Sequence, residues 1–524
     1  MLLWAAWPTS SFTFLIFFAL VPLLWIEDHT GGTKKLFGYT YLHMLLWNVL
    51  TTWWVGNATA VGAGLAILLN SLLMCLPWLL MHRVKRTLGR TAGYVSLIAF
   101  WISFEYIHHN WELSWPWLTL GNAFALQTGW IQWYEATGTT GGTLWVLLSN
   151  VLFYGLLTEY LKRGRSGRYF GGLALLLLLL IVPILVSKNL LKRESQKIAV
   201  AARNATKNVV VVQPNIDPYN EKFAEGTVEA QVQNLINLSE KQVDNQTALL
   251  VWPETAVPAA VWEGELEQNP YFQPVFAFLS AHPQLSLLTG IASFKSYGTD
   301  KAAATPTSRF HKTEHFYYDE FNAATLLAAQ YPIAYYHKAK LVPGVETLPS
   351  FLLWLNVIFE KFGGASGALG SDKERAVFAD KQHYYLAAPI ICYESIYSNY
   401  ITGFVRKGAN ILTIITNDGW WGNTQGYRQH MNYGRLRAIE TRRWVARSAN
   451  TGISCFIDPA GTVYQPQPWD TPASIKMNIE PIEHQTFFVR HGDYLSLIFN
   501  TISLIALAGT SILFLRRRFS QKTT

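Results

Sequence analysis

The run Ala388-Pro389-Ile390-Ile391-Cys392-Tyr393-Glu394-Ser395 carries an apolar, strand-like stretch onto a thiol and follows it at once with an aromatic ring and a carboxylate. A strand that stops at a cysteine presents the sulfur at the rim of a sheet, where a substrate can reach it and neighbouring charges can lower its pKa. Two other side chains stand at comparable places. Glu254 follows Val251-Trp252-Pro253, and because proline cannot continue a central ladder, the strand ends there and the carboxylate emerges at its edge. Lys338 stands where Tyr335-Tyr336-His337 gives way to Ala339-Lys340-Leu341-Val342-Pro343. A thiol of ordinary pKa, about 8.5, is mostly unreactive at neutral pH, whereas an adjacent ammonium lowers that value and a carboxylate can take the proton. Glu254, Lys338 and Cys392 together therefore make a base, an electrostatic stabiliser and a nucleophile for acyl transfer. Alone, each reads otherwise: cysteine is among the most buried residue types, and an isolated Glu/Lys pair is usually a solvated contact of small energy.

The elements that must position these groups alternate between apolar strand runs and polar helical stretches. Val209 to Val212, Ala248 to Val251, Leu285 to Ile291, Ala387 to Cys392 and Asn410 to Thr416 are continuous Val/Ile/Leu-rich runs, and Glu221 to Val243 has helical spacing. Such runs belong to strands covered on both faces, so an α/β layered soluble domain is expected over residues 198–490.

Composition demands a second environment. The chain has 524 residues, half of them hydrophobic, with 21 Trp and 15% charged residues, too apolar for a wholly soluble enzyme and too charged for spans alone. Residues 1–26 carry no charge, and Ser10 to Ile26 is a first candidate span. Roughly 36–55, 58–81, 91–107, 141–158, 169–187 and 495–515 are the others, each near the length a bilayer core requires. The expected layout is thus an N-terminal polytopic α-helical membrane domain over 1–190 with about six spans, the soluble domain, and a C-terminal span at 495–515. Lys34 and Lys35, then Arg83, Lys85, Arg86 and Arg90, then Lys162, Arg163, Arg165 and Arg168, then Arg516, Arg517 and Arg518 follow the odd-numbered spans. Loops rich in Lys and Arg stay in the cytoplasm, which puts the soluble domain on the opposite side. The net charge of +8 is read as this orientation signal, not as affinity for nucleic acid. The outer loop His108 to Gly142, with Trp111, Trp115, Trp117, Trp130 and Trp133, reads as an interfacial aromatic belt, and Glu105 as a carboxylate at membrane depth that needs a cavity or partner.

The residues around the three strand ends resemble a known family. Trp252-Pro253-Glu254-Thr255-Ala256-Val257-Pro258, His337-Lys338 with Leu341-Val342-Pro343 and Glu346, Ile391-Cys392-Tyr393-Glu394, and Thr416-Asn417-Asp418-Gly419-Trp420-Trp421-Gly422 look like the successive motifs of the carbon-nitrogen hydrolase (nitrilase) superfamily. With spans before and after, nearly the whole chain resembles the apolipoprotein N-acyltransferase family, and Trp115-Pro116-Trp117 to Gly121 is similar to a membrane-loop motif of that family. The resemblance implies a nitrilase-like αββα sandwich on the periplasmic face of a cell inner membrane. It implies Glu254 as general base, Lys338 as stabiliser of a tetrahedral intermediate and Cys392 as the site of a thioester, with Glu346, Tyr393, Glu394 and Trp420 in support. The implied acyl donor is a phospholipid, and the implied acceptor is the α-amino group of a diacylglyceryl-cysteine at a lipoprotein N-terminus. A monomer is the expected unit. Family members usually read Leu-Val-Pro-Phe-Gly-Glu where this chain has Leu341-Val342-Pro343-Gly344-Val345-Glu346; the Glu keeps its distance from Lys338 but the Gly has moved, so a different local backbone is expected. They also usually have one more span at the start, so this chain either lacks that helix or begins upstream.

Cys75 and Cys455 read as small core residues. No Cys/His spacing suits a metal and no glycine loop suits a phosphate, so no cofactor is expected. An apolar lid is expected over Val345 to Phe362 with Trp354, continuing through Gly363 to Gly370. Three rival functions remain: a membrane-tethered nitrilase-type amidase acting on small soluble amides; a transporter or assembly factor, whose spans should carry paired charges; and a scaffold with a dead enzyme domain, against which the presence of all three reactive side chains argues.

Overall fold

A computed structural model describes residues 1–348 and 368–520. The chain divides into two compact units, one made of residues 1–53, 61–190 and 491–524, the other of 54–60 and 191–490.

Four helices among the described residues, each with most of its length in the first unit, are long and apolar enough to cross a membrane: Ala60–Leu88, Tyr134–Arg163, Gly167–Asn204 and Tyr494–Arg516. The last two leave Leu177, Leu178, Ile181, Leu185, Leu504 and Ile505 exposed, apolar surface that suits lipid and not water. The expected spans at 36–55 and 91–107 correspond to helices Thr33–Thr52 and Arg90–His108. Ser10 to Ile26 differs from expectation. It is not one helix but a 3-10 turn, Thr13–Phe17, and a short helix, Val21–His29. Asn150 explains how the break is tolerated: its side chain accepts from Leu20 N at 2.8 Å and donates to Ile16 O at 2.9 Å, supplying partners the interrupted backbone would otherwise lack. Helix Gly167–Asn204 also runs well past the expected end at 187.

The second unit is built on two sheets. The first has strands β1 (Asn208–Gln213), β2 (Thr247–Val251), β3 (Val257–Trp262), β4 (Ser286–Gly298), β5 (Arg309–His311), β6 (Phe316–Ala328), β7 (Ala334–His337) and β14 (Ala473–Asn478). Its order is β14-β1-β2-β4-β6-β5, with β3 also on β4 and β7 on β6. The second runs β13-β12-β11-β10-β9-β8, formed by β8 (Phe378–Ala379), β9 (Leu386–Ile391), β10 (Ile411–Thr416), β11 (Trp444–Ala449), β12 (Cys455–Ile457) and β13 (Val463–Tyr464). β1, β2 and β4 are parallel, as are β9, β10 and β11; β1, β2, β10 and β11 are buried along their whole length, β9 in all but its first residue, and β4 over its first six. The sheets face each other, β1 against β11, and Ser448 Oγ donates across the gap to Val212 O at 2.7 Å. Helices Val228–Glu240 and Gln273–Ala281 cover the outer side of the first sheet through Val232, Leu235, Val275 and Leu279. Helices Ser398–Arg406 and Gln425–Thr441 cover the second. The result is the nitrilase-like αββα sandwich.

Gly290 marks where this packing meets the chemistry. It lies on β4, where its N–H donates to Pro253 O at 3.1 Å and its carbonyl accepts from Ala256 N at 2.9 Å. A Cβ there would stand 2.5 Å from Thr255 N and 2.6 Å from Glu254 Cα. Neither atom belongs to a flexible side chain. Gly290→Ala is therefore expected to cost about 1–3 kcal/mol by overpacking, read as a fall in the denaturation midpoint of the purified protein; an unchanged midpoint would show that the backbone around Glu254 yields freely.

Candidate active site

Glu254, the third residue after β2, and Lys338, the first after β7, meet at one end of the first sheet. Lys338 Nζ lies 3.3 Å from Glu254 Oε1 and 2.9 Å from Glu346 Oε1. Asn322, on β6, places Nδ2 at 2.8 Å from each of the same two oxygens. One ammonium and one amide thus bridge two carboxylates. The remaining oxygens are also held: Glu254 Oε2 accepts from Asn417 N at 2.9 Å, just past β10, and Glu346 Oε2 accepts from Val342 N at 2.8 Å. The displaced glycine has a local consequence, since Gly344 adopts φ +81° in the turn that folds Glu346 back toward Lys338.

Cys392 opens a 3-10 turn directly after β9 and has φ +49°, a left-handed conformation that a side chain other than glycine adopts only at a cost of about 1–3 kcal/mol. Two sets of contacts hold it. Glu394, fully buried, accepts from Ala339 N at 2.8 Å, Lys340 N at 3.3 Å and Tyr336 OH at 2.6 Å on one oxygen, and from Ile391 N at 2.9 Å on the other. It ties the cysteine turn of one sheet to the lysine loop of the other. Behind the thiol, the Cys392 carbonyl accepts from Ser395 Oγ at 2.7 Å and lies 3.2 Å from His430 Nε2. His430 Nδ1 is 2.9 Å from Asp418 Oδ1, and Asp418 Oδ2 is 2.7 Å from Arg447 Nη2. Every member of this chain is buried.

The electrostatics follow from burial and from this pairing. Burial pushes the Glu254 carboxyl up, but the Lys338 ammonium, the Asn322 amide and the Lys222 ammonium together hold it below its ordinary value. Burial pulls Lys338 down, yet Glu346, Glu254 and Cys392 overcome this and raise it. Burial and then the Glu254 charge push the Cys392 thiol up, with Lys338 opposing them. The thiol is therefore neutral at rest, not the lowered thiol expected from an adjacent lysine: the cation is already neutralised by two carboxylates. Asp418 is taken down to about 2, its burial outweighed by Arg447 and His430. Lys222, whose Nζ donates to Glu254 O at 3.1 Å, is pulled down by burial to about 8.

Residues 208–481 match the family model described as carbon-nitrogen hydrolase, and residues 1–152 match the apolipoprotein N-acyltransferase N-terminal domain. An apolipoprotein N-acyltransferase of Chlorobaculum tepidum is 31% identical over 499 residues, covering 93% of this chain and 90% of that one. The chain belongs to the apolipoprotein N-acyltransferase family. A relative of the same name from Geobacter metallireducens is 26% identical, with 94% of this chain and 90% of that one covered. Among solved structures, a nitrilase-superfamily amidase of Nesterenkonia aligns with TM-score 0.37 at 11% identity, over 56% of this chain and 97% of its own.

The other residues singled out in the sequence of this family member fall into distinct places. Tyr393 is buried, with its ring 5.3 Å from that of Tyr397. Trp420 packs with Tyr219 at 5.2 Å and Phe223 at 6.4 Å, while Trp421 lies 5.4 Å from the His430 ring. Glu105 is buried in the membrane unit, where Trp101 Nε1, Leu120 N and Thr143 Oγ1 donate to it at 2.9, 2.9 and 2.7 Å. Trp117 is buried rather than part of an exposed belt and stacks on Trp115 at 5.8 Å. Gly121 packs so closely that a Cβ would lie 2.0 Å from Thr139 O. Cys75 and Cys455 are free and buried. Most of the expected lid, including Trp354, lies outside the described residues; of its ends, Leu369 N donates to Glu346 O at 3.0 Å and Gly370 N to Glu320 O at 2.9 Å. Asn322, Lys222, Ser395 and His430 have no signature in the sequence that marks them as part of the site.

His430→Ala leaves the reactive side chains in place but removes a support of the strained Cys392 turn; acyl transfer should fall by about tenfold or more, while His430→Gln, which keeps a donor near the Cys392 carbonyl, should recover part of the rate. Equal rates in both variants and wild type would exclude a positioning role. His337 stacks on Phe321 at 3.8 Å between Glu263 and Asp372, at 2.6 and 2.9 Å. Burial lowers its pKa, but the two carboxylates raise it from 6.5 to about 9. A folded-state pKa above the unfolded one gives stability that is complete below about pH 6.5 and disappears as pH rises through about 9. The stability gap between wild type and His337→Gln should shrink over that interval in denaturation curves, and a gap independent of pH would contradict the pairing.

Proposed function

We propose that this chain is an apolipoprotein N-acyltransferase of the inner membrane that works as a monomer, its catalytic domain on the periplasmic side. It transfers a fatty acyl chain from a phospholipid, through a thioester on Cys392, to the α-amino group of the diacylglyceryl-cysteine at a lipoprotein N-terminus. The observation that carries the reading is the meeting of Glu254 and Lys338 at 3.3 Å, with both charges acting on a strained Cys392, in a chain whose exposed apolar helices suit lipid. Lys and Arg in the loops after the odd-numbered expected spans support the orientation. Lipid substrates that reach a membrane-bound enzyme within the bilayer need not be drawn into water at ~0.8 kcal/mol per CH2.

The chemistry runs in two halves. Cys392 Sγ attacks the ester carbonyl while its proton passes to Glu254; because the thiol is held neutral, the proton leaves as the C–S bond forms. The oxyanion of the tetrahedral adduct is balanced by the Lys338 ammonium. Collapse breaks the ester C–O bond, and Glu254 returns the proton to the lysophospholipid alkoxide, leaving the thioester. In the second half the acceptor amine attacks the thioester carbonyl, Glu254 takes an amine proton, and collapse expels the Cys392 sulfur, which recovers its proton as the amide forms. Donor product leaves before acceptor reacts, a ping-pong order. Glu346 and Asn322 keep Lys338 and Glu254 in register throughout.

Purified protein mixed with phospholipid should show, by mass spectrometry, one acyl adduct on Cys392 that a diacylated lipopeptide discharges. Cys392→Ser should abolish conversion of that lipopeptide to the triacylated form while retaining the fold, and Lys338→Met should lower the rate by about 10²–10³. Persistent conversion by Cys392→Ser would overturn the assignment. Turnover of small soluble amides with no adduct from phospholipid would favour the amidase reading.

A further inference from the structure

We propose that a groove at the Lys/Arg-rich end of the membrane unit binds the headgroup of an anionic phospholipid, at a site separate from the acyl-transfer chemistry. The groove has a volume of about 660 Å³ and lies between helix Leu76–Leu88, the C-terminal helix and the start of helix Thr33–Thr52. Arg83 and Arg86 line it, one turn apart, together with Leu79, Leu80 and Phe514.

Charge balance in this region leaves those two arginines over. The nearby carboxylates, Glu27 and Asp28, are already engaged: Lys85 bonds to both, Arg90 Nη2 lies 2.6 Å from Asp28 Oδ2, and His82 Nδ1 lies 2.7 Å from Glu27 Oε1. Among the described residues no carboxylate pairs with Arg83 or Arg86, so two like charges three residues apart face the groove without compensation. Arg83 Cζ stands 5.3 Å from the centre of the Phe514 ring, which sets the guanidinium above an apolar wall. His82 also lines the groove, and its buried Nε2 has no partner among the described residues.

The chemistry of the ligand follows from these walls. Two guanidinium forks suit the oxygens of a phosphodiester, which they can grip with paired hydrogen bonds. Leu79, Leu80 and Phe514 offer a path for an acyl chain that a free phosphate would leave empty, on helices apolar enough to lie in a bilayer. Among the described residues no carboxylate lines the groove to receive the ammonium of a zwitterionic headgroup, so a net negative lipid such as phosphatidylglycerol fits and phosphatidylcholine does not. Basic pockets between spans have this selectivity for anionic headgroups.

The test uses the full-length protein in detergent with phosphatidylglycerol, phosphatidylcholine and inorganic phosphate as separate probes, bound lipid being counted by native mass spectrometry. Wild type should retain at least one phosphatidylglycerol in preference to phosphatidylcholine, and an R83Q/R86Q variant should bind it about tenfold more weakly. An R83K/R86K variant should recover part of that affinity. Lipid bound in the acyl-transfer site is common to all variants and cancels in the comparison, and lipopeptide acylation by R83Q/R86Q within about twofold of wild type verifies that the protein is folded. Equal retention of phosphatidylglycerol by wild type and R83Q/R86Q, or equal retention of both lipids by wild type, overturns the proposal. Inorganic phosphate competing as well as phosphatidylglycerol would also overturn it, and would reassign the groove to a free oxyanion.

Discussion

The ammonium of Lys338 is 1% exposed, and a buried cation without partners costs several kcal/mol. Its pairing with Glu254 and Glu346 is the constraint from which the rest of the soluble unit follows. The carboxylates must arrive from different segments, one after β2 and one from the turn beyond β7, and Asn322 must enter from β6 to fix their spacing. Those positions are available only because β2, β4, β6 and β7 lie side by side in that order. Sheet topology is here the means of placing one charge between two others.

The second sheet is bound to the first through the same cluster. Glu254 reaches the backbone of Asn417 beyond β10, and Glu394 beyond β9 reaches the backbone of Ala339 and Lys340 beyond β7. Each of these buried carboxylates has one oxygen met by donors from the opposite layer, so separating the sheets would leave that oxygen without partners as well as expose apolar surface. The cost of holding Cys392 at φ +49° is offset in the same place. Ser395 and His430 hold its carbonyl, and Asp418 with Arg447 holds the histidine. A strained turn persists when its surroundings over-determine it.

How much of this the sequence reveals depends on the range of the signal. The ends of β2, β7 and β9 are legible because each couples an apolar run to an abrupt polar residue, and Pro253 makes one of them unambiguous. An α/β layered domain is legible from uninterrupted Val/Ile/Leu runs, whereas the αββα order is implied only by the resemblance of the motifs to a known family. Asn322 is not legible, because its part depends on β6 pairing with β4 and β7, which no local pattern specifies. Helix Gln425–Thr441 is rich in polar and charged residues, yet Gln429, His430, Arg437 and Glu440 are buried; Glu440 Oε1 accepts from Ser398 Oγ at 2.8 Å and Arg437 Nη2 at 3.1 Å, and Arg437 Nη1 donates to Ile396 O at 2.9 Å. In the membrane unit, length and hydropathy find helices but not their interruptions. Ser10 to Ile26 has the composition of a span, and only the distant Asn150 makes its break tolerable. Glu27, Asp28, His82, Lys85 and Arg90, which flank the expected spans, are brought together as paired charges from three helices, a grouping that no local pattern shows.

Charge neutrality at the site also bears on why the thiol is held protonated. With Lys338 balanced by two carboxylates, a standing thiolate would add an unpaired negative charge to a buried cluster, the situation that burial penalises most. A neutral thiol avoids that penalty, and in the proposed cycle the thioester that replaces it is neutral as well. Negative charge then builds on the substrate oxygen only during the two tetrahedral stages, as Glu254 takes up the proton and its grip on Lys338 weakens. The ammonium becomes available to the oxyanion at the moment it is needed. Stabilisation confined to those stages favours the transition states over both resting forms of the enzyme, which is the condition for lowering the barrier of each half-reaction.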